Sequence, residues 1–360
     1  MFIQTAVWSP LAMITAWLVA LAFTHSAIAV EEPANPPEAE EAEISETAQQ
    51  ADNGPVLALD ANGQRGRLET TAETYAAFHA EVGEAGRRPL TSVLDLDETM
   101  DALAGYYTDS RLVDAQIAYA ALVASQHPEF IDAVRAISDY YGAGVTAASL
   151  MNDPVFVTGF MGADSASDNV VTALTTDNQE MVTVSSRYRE AAYDLQSQTW
   201  ARARARDRAT RLNQIETGSV RLQTPFRLPD NGNGRRLGAA SDLFDAQGGA
   251  PRPAAPDPSL ALTVGEVQLQ PDERRVGRIL AVAALQSIES GDMRAMDVLL
   301  ADPGVERCIR GARLNLAQCV AAGHFKYEDA FCIAEHALEE VAGCLTATRA
   351  PVAEAVSTGG

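Results

Sequence analysis

Between Cys308 and Cys344 the chain reads CIRGARLNLAQCVAAGHFKYEDAFCIAEHALEEVAGC, which holds all four of its cysteines and two of its five histidines, His324 and His336. These residue types could form disulfide bonds, a metal site or a thiol redox centre. The spacing C-x10-C-x12-C-x11-C favours the first. In an antiparallel helical hairpin, facing residues have numbers that add to a constant. The pairs Cys308–Cys344 and Cys319–Cys332 meet that condition to within one. A Cys308–Cys319 bond would have to span ~16 Å of helix, whereas bonded cysteines keep their Cα atoms within about 7 Å. The crossed pairing needs parallel helices, which the short turn near Gly323 forbids. The expected bonds are therefore Cys308 to Cys344 and Cys319 to Cys332.

The metal alternative, C-x4-H-x7-C-x3-H over Cys319, His324, Cys332 and His336, lacks the close cysteine pair that opens most structural zinc sites. No C-x-x-C is present for redox chemistry. No cofactor and no metal are expected. One register conflict accompanies the pairing: on a regular helix Cys332 falls opposite the apolar stripe Ala334, Leu338 and Val341. That geometry leads us to expect the stripe to face the helices of 272–300, and the last turn to fray at Gly343 so that Cys344 can reach back.

Two charge clusters are the other candidates. ARARARDRATR places Arg202, Arg204, Arg206, Arg208 and Arg211 within residues 201–211. Such a run commonly keeps a helix end in water. Its functional reading is an anionic-partner site for phosphate-bearing lipid, an envelope polymer or the chain's own acidic tail. LDLDETMD gathers Asp95, Asp97, Glu98 and Asp101, which a hydrolase could use as paired carboxylates or a calcium site as ligands. Acidic residues at a helix N-terminus are the commoner cause. LDANGQRG (59–66) resembles the start of a calcium loop without its closing Glu and reads as a turn. His79 and His127 are expected at the surface. No P-loop, G-x-S-x-G, G-x-G-x-x-G or H-E-x-x-H sequence occurs.

The elements that position these groups are helical. Leu11–Phe23 is an uncharged apolar run followed by small residues at Ala27 and Ala29, the pattern of a signal peptide (1–29) cleaved after Ala29. A retained anchor is the alternative, although Pro10 interrupts the longer span. Residues 30–55 carry seven Glu and one Asp with no basic residue, and read as an acidic disordered spacer. With a net charge of −22, the chain is unsuited to nucleic acid. Its cations are 26 Arg and a single Lys, Lys326, a bias that suggests a GC-rich bacterial genome.

The chain reads as mainly α. A helical domain (56–216) should end in a long helix, with a seam of Val170, Leu174, Asp177, Met181, Val184, Tyr188, Ala191 and Leu195 stepping by four and three from Asp168 to about Glu216. Unbroken, that helix would be roughly 70 Å long. Its seam packs on its own domain or forms a homo-oligomer. VFVTGF could be a short strand. A Pro/Gly-rich flexible linker (217–271) separates this domain from a small disulfide-stapled C-terminal module of four helices (272–345), followed by a disordered tail (346–360). The functional expectation is an exported, non-catalytic cell-envelope protein, periplasmic or extracellular, that binds or spaces partners through helical surfaces. The alternative is an exported hydrolase using the carboxylates of 95–101.

Overall fold

The computed structural model describes residues 56–108, 110–205, 208–217, 228, 236–245, 270–288 and 293–349. The expected signal peptide, the acidic spacer and most of the tail lie outside the described residues.

The fold is mainly helical. The first half comprises α1 (Val56–Arg87), α2 (Val93–Ala104), α3 (Arg111–Ala124), α4 (Pro128–Tyr141), α5 (Ala143–Asn152) and α6 (Ala163–Asp194). Next come α7 (Arg208–Thr217) and the single turn α8 (Asp242–Asp245). The C-terminal part comprises α9 (Glu273–Ser287), α10 (Met293–Leu300), α11 (Pro303–Ala322), α12 (Tyr327–Cys332), a π-helical segment Ile333–Glu339, and α13 (Glu340–Leu345). A two-residue antiparallel ladder joins β1 (Gln270–Pro271) to β2 (Thr348–Arg349).

Local chemistry sets several boundaries. Pro128 and Pro303 occupy first turns, where a missing N–H costs nothing. Asp272 and Asp302 accept backbone N–H groups at the starts of α9 and α11. Gly162 has φ 77°, and a Cβ there would lie 2.6 Å from the backbone nitrogen of Phe130. Only glycine fits where α6 begins against α4.

Helix α3 is buried on every side from Leu112 to Ala124 apart from Asp114, as expected of a helix at the centre of a core. Around it pack α1, α6 and α9. The involvement of α9 corrects the two-domain expectation, because its buried face (Val276, Ile279, Leu280, Ala283) belongs to the same apolar core as α1, α3 and α6. At Gly277 a Cβ would come within 3.0 Å of the backbone of Pro154 and Val155, so α9 lies directly on the preceding half of the chain. Polar contacts reinforce this. Gln116 Nε2 donates to the Leu345 carbonyl at 2.8 Å, and Arg275 donates to Gln116 Oε1 and, at 3.4 Å, to the Cys344 carbonyl. Linker composition shows that a connection exists, but not whether the parts it joins bury the same surface.

Part of the expected linker is itself built in. Leu237, Ala239, Ala240 and Leu243 are buried. The side-chain amide of Gln126 reads both backbone groups of Leu237: Oε1 accepts its N–H at 2.7 Å and Nε2 donates to its carbonyl at 3.1 Å. Asp177, the polar break in the α6 seam, is buried and accepts the N–H groups of Ala240 (3.1 Å) and Ser241 (2.9 Å) and the Tyr75 hydroxyl (3.1 Å). Tyr119 donates to the Gly238 carbonyl at 3.1 Å. The strap from Arg236 to Asp245 is thus held largely through its backbone.

Three further expectations are corrected. The long helix ends at Asp194 and not near Glu216, so α6 spans ~48 Å, and its seam residues Val170, Leu174, Met181, Val184 and Tyr188 are buried within the same chain. VFVTGF forms no strand: all but its last residue, Phe160, lie in a 3-10 helix, Pro154–Gly159, started by Asp153 accepting the Val155 N–H. Residues 59–66 lie within α1 and form no turn. Among the described residues no helix is long and apolar enough to cross a membrane.

Candidate functional site

The features singled out by residue type converge on the turn between α11 and α12. Cys319–Cys332 and Cys308–Cys344 are bonded, with Cα separations of 5.7 and 5.6 Å. The register conflict is resolved by the π-helical segment, not by fraying. Helix α13 continues through Gly343 to Leu345, and the π segment takes up one extra residue between Cys332 and Cys344. Its carbonyls are served from outside: Tyr107 donates to Ala337 at 2.6 Å, and Ser185 to Ala334 at 3.0 Å. Arg189 adds ion pairs to Glu335 (2.6 Å) and Glu339.

The arginine run is not one helical face. After α6 come a 3-10 turn, Leu195–Ser197, and further turns, and residues 201–205 lie antiparallel to 324–327: Arg204 bridges Phe325, Ala205 N–H donates to the His324 carbonyl at 2.9 Å, and Tyr327 N–H donates to the Ala201 carbonyl at 3.1 Å. Arg202, Arg204 and Arg208 are exposed, and Arg206 lies outside the described residues. Arg211 is buried and paired with the fully buried Asp329. It therefore serves the core and leaves the proposed anionic-partner set.

Beneath this segment is a charged knot that residue types alone did not reveal. Lys326 Nζ lies 2.7 Å from Asp97 Oδ1 and 3.3 Å from Asp329 Oδ2, while Arg211 holds Asp329 Oδ1. Burial pushes the Asp329 carboxyl above its ordinary range, against the lowering effect of Arg211 and Lys326. Burial likewise raises Asp101, with Asp97 adding to it and Lys326 opposing. The signal available in the sequence was that one lysine stands among 26 arginines.

The carboxylates of 95–101 serve separate structural roles. Asp95 accepts the N–H groups of Thr91 (2.8 Å) and Ser92 (2.7 Å) at the start of α2. Asp97 pairs with Lys326, and Glu98 with Arg88. They do not line the cleft described below.

Comparison with protein-family models, curated proteins and solved structures finds no match to this chain.

On the outer side of the hairpin turn is an open cleft of about 450 Å³, walled by Tyr193, Tyr327 and Phe331, floored by Cys319 and Cys332, and bordered by His324. Tyr193 is 68% exposed and Phe331 42%. Glu328, also on its wall, is turned onto the backbone N–H of His324 and closes the turn. Among the described residues no group of three or more His, Cys, Asp or Glu side chains is placed to hold a metal ion.

His79 and His127 do not line this cleft. His127 sits at the start of α4 beside Asn169. His79, expected at the surface, is buried against Tyr75 and Phe78, with ring centroids 4.6 and 5.2 Å away. It lies on the face of α1 that also buries Tyr75, Phe78 and Val82.

Proposed function

We propose that this is an exported, non-catalytic binding protein of a bacterial cell envelope, periplasmic or extracellular, and that it holds an anionic envelope component at the hairpin cleft. The observation that carries this reading is the pairing of residues 201–205 with 324–327. It sets the exposed Arg202 and Arg204 on the segment beside His324, a residue of a cleft that also presents the exposed rings of Tyr193 and Phe331 and the half-buried ring of Tyr327. Aromatic faces take the apolar surface of a sugar or acyl ligand, and guanidinium groups at the rim take its phosphate or carboxylate. The disulfides support export, since such bonds persist in oxidising compartments.

The chain's net charge of −22 repels a polyanion, so attraction must come from this local patch and fall as salt rises. The test is co-sedimentation of the oxidised protein with envelope fragments and, separately, with phosphatidylglycerol vesicles. Wild type is compared with Arg202→Gln/Arg204→Gln and with Tyr193→Ala/Phe331→Ala, at low and high salt. Salt-sensitive recovery of wild type, lost in both variants, is expected. Equal recovery of all three proteins would remove the cleft from the function.

A further inference from the structure

Lys326 occupies a position where the chain departs from its otherwise complete use of arginine. The two cations differ in a chemically decisive way: a guanidinium stays protonated in proteins, whereas an amine can lose its proton on burial and act as a nucleophile. Here the amine is 10% exposed and directed at two carboxylates, Asp97 on α2 at 2.7 Å and Asp329 on α12 at 3.3 Å, whose side chains are 35% and 0% exposed.

We propose that Lys326 and Asp97 are the precursors of an intramolecular isopeptide bond, with Asp329 as the proton carrier. This goes beyond the binding role and does not depend on it. The bond that forms joins Lys326 Nζ to Asp97 Cγ, and one Cγ–O bond breaks. The ammonium carries three hydrogens and the amide keeps one. The other two pass by way of Asp329 to the departing oxygen, which leaves as water. Asp329 ends as it began, and nothing is oxidised or reduced.

Three features of the site favour the step. Lys326 Nζ, in the turn before α12, already lies 2.7 Å from a carboxylate oxygen of Asp97 on α2, and held geometry of this kind replaces a large entropic barrier. Asp329 is locked in place by Arg211, and its burial favours the protonated acid needed to hand a proton on. Asp97 is partly open to solvent, which gives the water a way out. The product would tie α2 to the hairpin that the two disulfides already hold. The competing account is that a compact ammonium simply fits between two carboxylates where a guanidinium does not.

Intact-mass spectrometry of the folded full chain after reduction of its disulfides separates the two. The expected result is a mass one water below that of the sequence, and a digest containing a branched peptide that joins Asp97 to Lys326. Lys326→Arg and Asp97→Ala should each restore the full mass. Asp329→Ala, confirmed folded by circular dichroism, should keep both reactants and fail to join them. A full, unshortened mass for wild type after prolonged incubation overturns the proposal, and that measurement needs no variant. Water loss that persists in Lys326→Arg would reveal dehydration of an aspartate alone and overturn it equally. Full joining in Asp329→Ala would overturn the role given to Asp329.

Discussion

Cys332 and Cys344 face the same neighbouring helix because the π-helical segment Ile333–Glu339 stands between them. On a regular α-helix their twelve-residue separation turns the chain to about 120° off phase, at about 100° per residue. With one residue absorbed by the π segment, eleven steps remain and the mismatch falls to about 20°. Cys308 and Cys319, eleven residues apart on α11, carry the same small offset. The two helices therefore present matching edges, and both bonds close.

This account predicts opposite outcomes for deletion and insertion. Removing His336 from the π segment should allow a regular helix and leave both disulfides intact in a non-reduced digest. Inserting one alanine after His336 should move Cys344 off the shared edge and prevent the bond to Cys308. Replacing Cys308 and Cys344 with Ser should cost ~4 kcal/mol by the loop-entropy relation, and replacing Cys319 and Cys332 ~3 kcal/mol, because the outer loop is longer. Urea unfolding at neutral pH measures both. An insertion that leaves the outer bond in place would show that the π segment does not set the register.

Arg211 and Asp329 form a pair that is 7% and 0% exposed, so removing the guanidinium leaves Asp329 Oδ1 without its partner inside the protein, with Lys326 on the other oxygen alone. Arg211→Leu should therefore cost ~3 to 5 kcal/mol. Arg202→Leu, at an exposed position, should stay within about 0.5 kcal/mol of wild type. Urea titrations of the two variants side by side provide the check. Equal stability would mean that Arg211 belongs to the surface run after all.

What the sequence disclosed and what it concealed follow from locality. The cysteine pairing was legible because hairpin geometry depends only on spacing, and the seam of α6 because burial repeats with the helical period. The end of α6 at Asp194 was not, since LQSQTW contains neither Gly nor Pro. The chain leaves the helix there to pair Ala201–Ala205 with His324–Tyr327, more than a hundred residues away in sequence. The same distance concealed the partner of Arg211. Asp177 looked like a flaw in a coiled-coil seam because its ligands are backbone N–H groups of a segment whose own composition reads as linker.

Asp95 allows a prediction with a definite pH sign. Burial raises its carboxyl, but hydrogen bonds from the backbone and side chains of Thr91 and Ser92 outweigh that and hold it below the ordinary aspartate range. A group depressed in the folded state adds stability above its unfolded value near 3.9 and loses it as pH falls through the folded value. Asp95→Ala should thus be less stable than wild type by ~1 kcal/mol at pH 7, with the gap narrowing below about pH 4. Asp329, raised by burial, contributes in the opposite sense, and being present in both proteins it cancels in the difference. A gap that stays constant down to pH 2.5 would rule out a carboxylate cap.

The strap offers the last prediction, and it concerns how the core is closed. Gln126 is the side chain that holds both backbone groups of Leu237, at 2.7 and 3.1 Å, whereas Asp177 holds Ala240 and Ser241 independently. Losing the amide leaves the part-buried N–H of Leu237 without its acceptor, a cost of ~1 to 3 kcal/mol if the strap stays in place. Local opening of the first strap residues avoids that cost. In Gln126→Ala the amide of Leu237 should therefore exchange with solvent much faster than in wild type, while those of Ala240 and Ser241 keep their protection. Hydrogen exchange resolved by residue distinguishes the outcomes. Simultaneous loss of protection at all three amides would show that the strap opens as one unit, and unchanged exchange at Leu237 would show that its buried side chain, not the amide of Gln126, fixes it to the core.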